Sequence, residues 1–354
     1  MNTYPATPAR PVRGPQHHGL SHQRRPLGGR RTLMMLLAAV LLAVAGSATA
    51  QEQLDVLRVR HPANLAFAAP FQFIADSGAL SAYATEVDIA PWTTPDILRS
   101  ILVNNQSEVT AVPTYVGANL ANRGVDVKMA AVVVWGILWA IGPDGAEGWD
   151  ALRGQTIMVP YRNDMPDLVF TRLAQANGLT PGVDFEVQYF ATPQEVVSQL
   201  VSGRGQWAVL PEHVATVALA NANNNGQSLG RYLNLQAEWA TVTGKARIPQ
   251  AGIVVPTWLA DERPDLLGAI LTALEDAVAL VNAAEPDTVA ALAEANGLPA
   301  GVVQGVIPRL NLEILPAGAV QEELEAFYSE LAKLSPDIIG GQLPSADFYL
   351  PDPR

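Results

Sequence analysis

The segment TPDILRSIL at residues 94–102, followed by VTAVPTY at 109–115, has a second version later in the same chain. TPQEVVSQL at 192–200 is followed by WAVLPEH at 207–213, so the two copies align without a gap. The same offset pairs VRHP at 59–62 with IMVP at 157–160. Two copies are too few to build a repeat array, and they predict two similar lobes.

Each copy alternates short apolar runs with amphipathic helices. In both, a threonine and a proline (Thr94-Pro95 and Thr192-Pro193) predict an N-cap followed by the first helical residue. The predicted strands are 56–60, 86–90 and 109–112, then 156–159, 185–190 and 207–210; the predicted helices are 70–75, 94–103, 167–176 and 192–201. Strands that alternate with helices are typical of βαβ units, so we predict an α/β fold with two parallel-sheet lobes.

A run of apolar, β-branched residues between the copies predicts the connection of the lobes. MAAVVVWGILWAI at 129–141 is too short to span a membrane and is interpreted as a buried strand that crosses from lobe to lobe. Residues 239–243 and 251–255 are predicted to form the return crossing, and the chain after 257 is predicted to be mainly helical. The predicted organisation is therefore an export signal at 1–50, a first lobe at 51–136 plus 251–354, and a second lobe at 137–250.

The N-terminal residues have the pattern of an export signal. The Lys and Arg residues of the first fifty positions all precede the apolar run at 33–45, and the small residues Ala48-Thr49-Ala50 follow it. We expect cleavage after Ala50 and a periplasmic location, by the Sec route or, given Arg24-Arg25 and Arg30-Arg31, the twin-arginine route. An uncleaved membrane anchor is the alternative interpretation.

Charge and composition exclude several functions. Without residues 1–50 the chain keeps 16 Lys and Arg against 34 Asp and Glu, a net charge of −18, which disfavours binding to nucleic acid or to anionic membranes. The chain has no cysteine, and only His61 and His213 remain after residue 50, so a His/Cys metal site is not expected. No phosphate-binding loop, nucleophile elbow or zinc-protease motif occurs, and neither an enzyme nor a cofactor is predicted.

Several motifs resemble one family of transport proteins. LRGQTIMVP at 152–160, NDMPDLV at 163–169, TPQE at 192–195 and AVLPE at 208–212 are similar to the nitrate/sulfonate/taurine-type solute-binding proteins of ABC importers. The resemblance extends over about 54–255 and implies the type II periplasmic-binding fold, with an ABC permease and its separate ATPase as partners and a monomeric binding protein. His213 departs from the proline expected after Pro-Glu in this family. It either polarises the pocket or makes local hydrogen bonds in a loop.

The predicted ligand cleft lies at the carboxyl ends of the parallel strands of both lobes, where open α/β sheets bind ligands. Trp135, Trp139 and Trp239 lie near the crossings, and the core is the favoured location for Trp135 and Trp139. The candidate ligand-binding residues are His61, Asn64, Trp92, Thr93, Thr114, Tyr115, Tyr161, Arg162, Asn163, Asp164, Thr192, Glu212 and His213.

The charges among these candidates leave the ligand open. The backbone N–H groups at 163–166, with Arg162, suit an anionic group, unless Asn163 or Asp164 simply caps the following helix. Glu212 suits a cation or a protonated heterocycle, or it pairs with Arg162. Trp92 is the favoured aromatic wall.

The predicted function is capture of a small organic solute by lobe closure and its delivery to a membrane permease. A sulfonate or another small organic anion is the favoured ligand. The alternatives are a cationic or neutral heterocycle similar to the thiamine pyrimidine, and a periplasmic sensor that reports its ligand to a membrane receptor kinase.

Overall fold

The computed structural model describes residues 53–75 and 77–354. The predicted export signal and its cleavage site after Ala50 lie outside the described residues. Two β-sheets, each flanked by helices, organise the described part of the chain.

The first sheet has six strands in the order β11-β4-β10-β3-β1-β2. The strands β1 (Leu54–Pro62), β2 (Ala84–Trp92) and β3 (Val109–Pro113) come from the first sequence copy and pair in parallel. The strands β4 (Lys128–Trp135), β10 (Pro249–Val255) and β11 (Leu312–Pro316) join this sheet with antiparallel pairing.

The second sheet has five strands in the order β7-β6-β8-β5-β9. The strands β6 (Thr156–Pro160), β7 (Glu186–Phe190) and β8 (Trp207–Pro211) come from the second copy and again pair in parallel. Antiparallel strands β5 (Leu138–Pro143) and β9 (Leu229–Asn234) complete the sheet. The α/β prediction is confirmed, and both sheets are mixed because the connecting strands run against the duplicated ones.

The predicted caps set the starts of the duplicated helices. The Thr94 and Thr192 hydroxyls each accept a backbone N–H three residues on, at 3.3 Å. The helices are α1 (Leu65–Phe71), α2 (Pro95–Val103), α3 (Thr114–Asn122), α4 (Met165–Ala176), α5 (Pro193–Val201), α6 (Glu212–Asn224), α7 (Leu235–Thr243), α8 (Thr257–Glu262), α9 (Pro264–Ala283), α10 (Pro286–Asn296), α11 (Ala300–Val306) and α12 (Gln321–Leu334).

Three predicted elements differ from the structure: a helix, a segment of the return crossing and the first crossing strand. The helix expected at 70–75 begins at Leu65 instead, because Asn64 caps it by accepting the N–H of Phe67, and it ends at Phe71. Residues 239–243, expected in a crossing strand, belong to α7. The Asn234 side chain accepts the N–H groups of Gln236 and Ala237 and starts this helix, and Gly244 at φ +69° ends it.

The predicted crossing strand at 129–141 is two strands, β4 in the first sheet and β5 in the second. Gly136 separates them with φ +52°, a conformation that glycine adopts at low cost. The Oε1 atom of Gln236 fills the space beside this glycine, and it also accepts the N–H of Ile248 at 3.2 Å. The first crossing therefore contacts helix α7 at Gly136.

We expect Gly136→Ala to lower the free energy of unfolding by about 2–3 kcal/mol. The new Cβ strains the left-handed backbone and displaces Gln236 from Ile248. Gly124→Ala is the matched control, since Gly124 has φ +80° but open space around the added carbon, and about 1 kcal/mol is expected. Urea unfolding measures both losses, and equal losses would mean that Gln236 moves without cost.

The long helix α9 belongs to the core of the first sheet. It is apolar and long enough to cross a membrane, but one face, including Leu267, Leu271 and Leu274, is buried with the first sheet's side chains. Trp135 is buried at 2% exposure, as expected for a core residue, whereas Trp139, for which the core was also favoured, is only partly buried. Trp239, expected near the return crossing, is buried at 1% exposure. Trp139 packs beside Arg231, whose guanidinium carbon lies 5.8 Å from the ring centre.

Candidate functional site

A cavity of about 590 Å³ lies where strands of both sheets end. Trp92, Pro113, Pro160 and Pro211 are the last residues of β2, β3, β6 and β8, and all of them line it. Both duplicated halves thus contribute strand ends to one cleft, as the rule for open α/β sheets predicts, and Pro113 and Pro211 are equivalent positions of the two copies.

Most of the sequence-predicted residues line this cavity, and the others do not. The lining ones are Asn64, Trp92, Thr93, Tyr115, Tyr161, Arg162, Asn163, Asp164 and His213. His61, Thr114, Thr192 and Glu212 are not among the lining residues. Trp135, Trp139 and Trp239 do not line it either.

The candidates outside the lining have local partners. His61 stacks on Phe71 at 5.7 Å between ring centres, and its Nδ1 lies 2.9 Å from the Pro62 carbonyl oxygen. Thr114 is fully buried and donates its hydroxyl to the carbonyl of Pro249. Thr192 caps α5. A position at a strand end therefore fixes the backbone but not the direction of the side chain.

Glu212 is fully buried and already neutralised by two arginines. Its carboxylate accepts from Nε of Arg231 and from Nε of Arg309, each at 2.8 Å, and from the Thr216 hydroxyl at 2.6 Å. The predicted pairing with Arg162 is replaced by these contacts. Buried carboxylates require such compensation, so Glu212 has no free charge to offer a cationic ligand.

Tyr115 and Asp164 join the two sides of the cavity. The buried Tyr115 hydroxyl, on α3, donates a hydrogen bond to Oδ1 of Asp164, which also caps α4 by accepting the N–H of Met165 at 2.7 Å. Burial raises the pKa of Asp164, and its two hydrogen bonds oppose this effect. Burial, together with Asp164, holds the pKa of Tyr115 well above its usual value. The expected cap at 163–164 is confirmed in Asp164.

The backbone N–H groups expected to receive an anion are occupied. The N–H of Asn163 donates to Asp167 at 2.9 Å, and that of Asp164 donates to the carbonyl of Tyr161 at 3.0 Å. The start of α4 therefore already carries two carboxylates, Asp164 and Asp167, which complement its positive end.

Arg162 lies between two residues in the left-handed region, Tyr161 at φ +61° and Asn163 at φ +59°. Its guanidinium carbon is 5.1 Å from the centre of the Tyr189 ring, within the range of a cation–π contact. Tyr189 in turn donates to Asp167 at 3.2 Å. Left-handed conformations at non-glycine residues often occur at functional sites, and here they set the cavity wall around Arg162.

His213 contributes a neutral imidazole to the wall. Its Nδ1 is buried without a hydrogen-bond partner, and burial lowers its pKa from the usual 6.5 to about 4, although the neighbouring Glu212 acts in the opposite direction. At neutral pH the ring is uncharged, so it offers a ligand a hydrogen bond but no net charge.

Other lining residues were missed in the sequence. Gln250 lies on the return strand and accepts the N–H of Ile137, and Ser335, Asp337 and Ile338 follow α12. The duplication covers none of these positions, and periodicity does not reveal which sheet a C-terminal helix approaches. Phe67, Leu98 and Arg99 also line the cavity. They lie near the starts of α1 and α2, and the rule about strand ends does not consider helix residues.

Among residues 53–75 and 77–354, no group of three or more His, Asp or Glu side chains is arranged to hold a metal ion.

The sequence matches no protein-family model and no curated protein. Solved structures are similar in fold. An ABC transporter protein from Parabacteroides distasonis has a TM-score of 0.69 at 20% identity, over 84% of this chain and 99% of that one. The periplasmic aliphatic sulphonate-binding protein of Escherichia coli has a TM-score of 0.63 at 14% identity, over 82% and 93%.

The periplasmic nitrate-binding protein of Synechocystis PCC 6803 has a TM-score of 0.58 at 14% identity, over 83% of this chain and 87% of that one. At these identities the likeness concerns the fold, and the ligands in the names differ from one protein to the next. Together with the paired mixed sheets and the cleft at their strand ends, the comparison establishes that the chain has the type II periplasmic-binding fold.

Proposed function

We propose that the protein is the extracytoplasmic solute-binding component of an ABC importer, which captures a small organic solute without chemistry. The observation that carries the proposal is the cavity of about 590 Å³, lined by strand ends from both sheets. Its volume falls in the range of small-molecule sites. Binding proteins of ABC transporters share this fold, which supports a permease and its ATPase as partners.

The proposed lobes are 51–136 plus 251–354 and 137–250, and rotation between them opens and closes the cavity. Tyr115 belongs to the first and Asp164 to the second. Their hydrogen bond, at the cavity wall, is one that closure forms and opening breaks. The N-terminal pattern supports export, with cleavage after Ala50. The binding protein is proposed to be a monomer.

The wall chemistry bears on the class of ligand. A sulfonate or another small organic anion needs free hydrogen-bond donors, but the N–H groups at the start of α4 already have acceptors. In addition, the acidic residues Asp164 and Asp337 line the same cavity as Arg99 and Arg162. Trp92, Phe67, Tyr115 and the neutral His213 instead suit a planar or apolar body with a hydrogen-bonding group. These contacts favour the neutral or cationic heterocycle over the anion.

Native mass spectrometry of the protein purified from its own periplasm, without dialysis, tests the proposal. We expect a discrete added mass that is lost on denaturation. Calorimetric titration with an aliphatic sulfonate and with an aminopyrimidine then separates the ligand classes. Tight binding of the sulfonate, abolished by Arg162→Gln and retained in Asp164→Asn, would overturn the preference for a heterocycle.

We expect Trp92→Ala to weaken binding of the captured solute about tenfold, because the ring forms an aromatic wall of the cavity. The indole N–H also donates to the carbonyl of Ala111 at 3.1 Å, so Trp92→Phe is the matched control. Phenylalanine keeps an aromatic face and loses only that bond, and its affinity is expected within about threefold of the native value. Equal weakening in both variants would assign the effect to the hydrogen bond.

A further inference from the structure

The peptide that links the two sheets, between Gly136 and Ile137, is held on several sides. The Gly136 carbonyl accepts from the side chain of Asn311 at 2.7 Å. The N–H of Ile137 donates to Gln250 at 2.8 Å, and the carbonyl of Ile137 accepts the N–H of Glu212 at 2.7 Å. We call these three hydrogen bonds the crossing contacts.

Asn311 belongs structurally to the first sheet. Its carbonyl accepts the N–H of Trp135 at 3.0 Å, and the next residue, Leu312, pairs with Val134 in β4. Its backbone has φ +47°, which turns the chain so that its side chain reaches Gly136. The segment before β11 is therefore fixed both to β4 and to the crossing.

Arg309 extends this segment towards the second sheet. It donates to the carboxylate of Glu212, which begins α6 beside β8. Arg231, on β9 of the second sheet, donates to the same carboxylate. Two arginines thus neutralise one buried acid, but only Arg309 comes from a segment attached to the first sheet.

We propose that Arg309 is a positioning residue that fixes the orientation of the two sheets at their first crossing. Its ion pair with Glu212 holds the start of α6 close to Ile137, where the N–H of Glu212 makes one of the crossing contacts. The Gly136–Ile137 peptide is then a pivot of fixed position, and the rotation that opens and closes the cavity takes place about it over a narrow range in the protein without ligand. The proposal concerns the protein without ligand and does not depend on the solute.

Distance measurements between spin labels test this directly, because the native chain has no cysteine. Val103→Cys on α2 and Val183→Cys before β7 provide exposed label sites, at 56% and 80% exposure. We expect a narrow distance distribution in the ligand-free protein and an about twofold broader one after Arg309→Gln. Arg231→Gln is the matched control, since it removes a contact with the same carboxylate within the second sheet.

A native distribution in Arg309→Gln, or equal broadening in Arg231→Gln, would overturn the proposal. Asn311→Gly provides a second variant, because glycine tolerates the positive φ and only the bond to the Gly136 carbonyl is lost. It is expected to broaden the distribution as Arg309→Gln does. Thermal unfolding of each variant verifies that it is folded. A failure of the solute-binding test would not change the expected label distances. A failure of the distance test would equally leave the proposed solute binding untouched.

Discussion

Glu212→Ala is expected to lower the free energy of unfolding by about 3–5 kcal/mol, the range for removing one member of a buried ion pair. The carboxylate is fully buried and neutralises both Arg231 and Arg309. Without it, two partly buried guanidinium groups and the Thr216 hydroxyl lose their acceptor. Urea unfolding followed by circular dichroism measures the loss.

Glu186→Ala serves as the control for the Glu212 variant, because Glu186 is an exposed glutamate on β7. A change within about 0.5 kcal/mol is expected there. If Glu212→Ala cost no more than its control, the arginines would have other partners and the ion cluster would not stabilise the fold. A loss of ligand binding in Glu212→Ala is therefore explained by loss of stability and is not evidence that Glu212 contacts the ligand.

Acidification from pH 6.5 to 4 is expected to destabilise the protein by about 3 kcal/mol through His213 alone. The folded chain keeps this imidazole neutral because burial lowers its pKa to about 4, whereas the unfolded chain binds a proton near 6.5. Between these values the unfolded state binds more protons, so stability falls as the pH falls. From about one unit above pH 6.5 neither state binds the proton, and the contribution is fully present and constant.

The pH dependence is measured by urea unfolding of the native protein and of His213→Gln at several values between 4 and 7. The difference in unfolding free energy between the two isolates His213 from the carboxylates, including Asp164, whose raised pKa acts in the opposite direction. His61→Gln serves for comparison, because burial lowers the pKa of His61 as well and its removal is expected to change the pH dependence in the same direction. A constant difference between native protein and His213→Gln over this range would contradict the prediction.

Much of the fold could be predicted because its signals are local. A threonine followed by proline defines a helix start by hydrogen bonding within three residues, and both such helices begin as predicted. The apolar run at 129–141 indicated a buried crossing but not its interruption. The break lies at Gly136, which has a positive φ and contacts Gln236, a hundred residues away in the sequence.

The site was predictable where the backbone alone decides the location. Residues at the end of a strand or shortly after it, such as Trp92, Tyr161 and Asp164, reach the cavity because parallel strands end at one edge. Glu212 follows a strand as well, but its side chain turns to Arg309, which is remote in the sequence. No local pattern reveals a partner at that separation. Gln250 and the residues after α12 were not predicted to line the cavity for the same reason.

The pairing of β4 with β10 bears on how the chain is assembled from parts. Trp135, the last residue of β4, lies opposite Pro249, the first residue of β10, so the ends of residues 136–248 are one interstrand spacing apart, about 5 Å. This arrangement is that of an insertion placed within a β-hairpin. Replacement of 136–248 by a short turn would leave the first sheet's strand order and connectivity unchanged, so the second sheet is topologically an exchangeable module of this architecture.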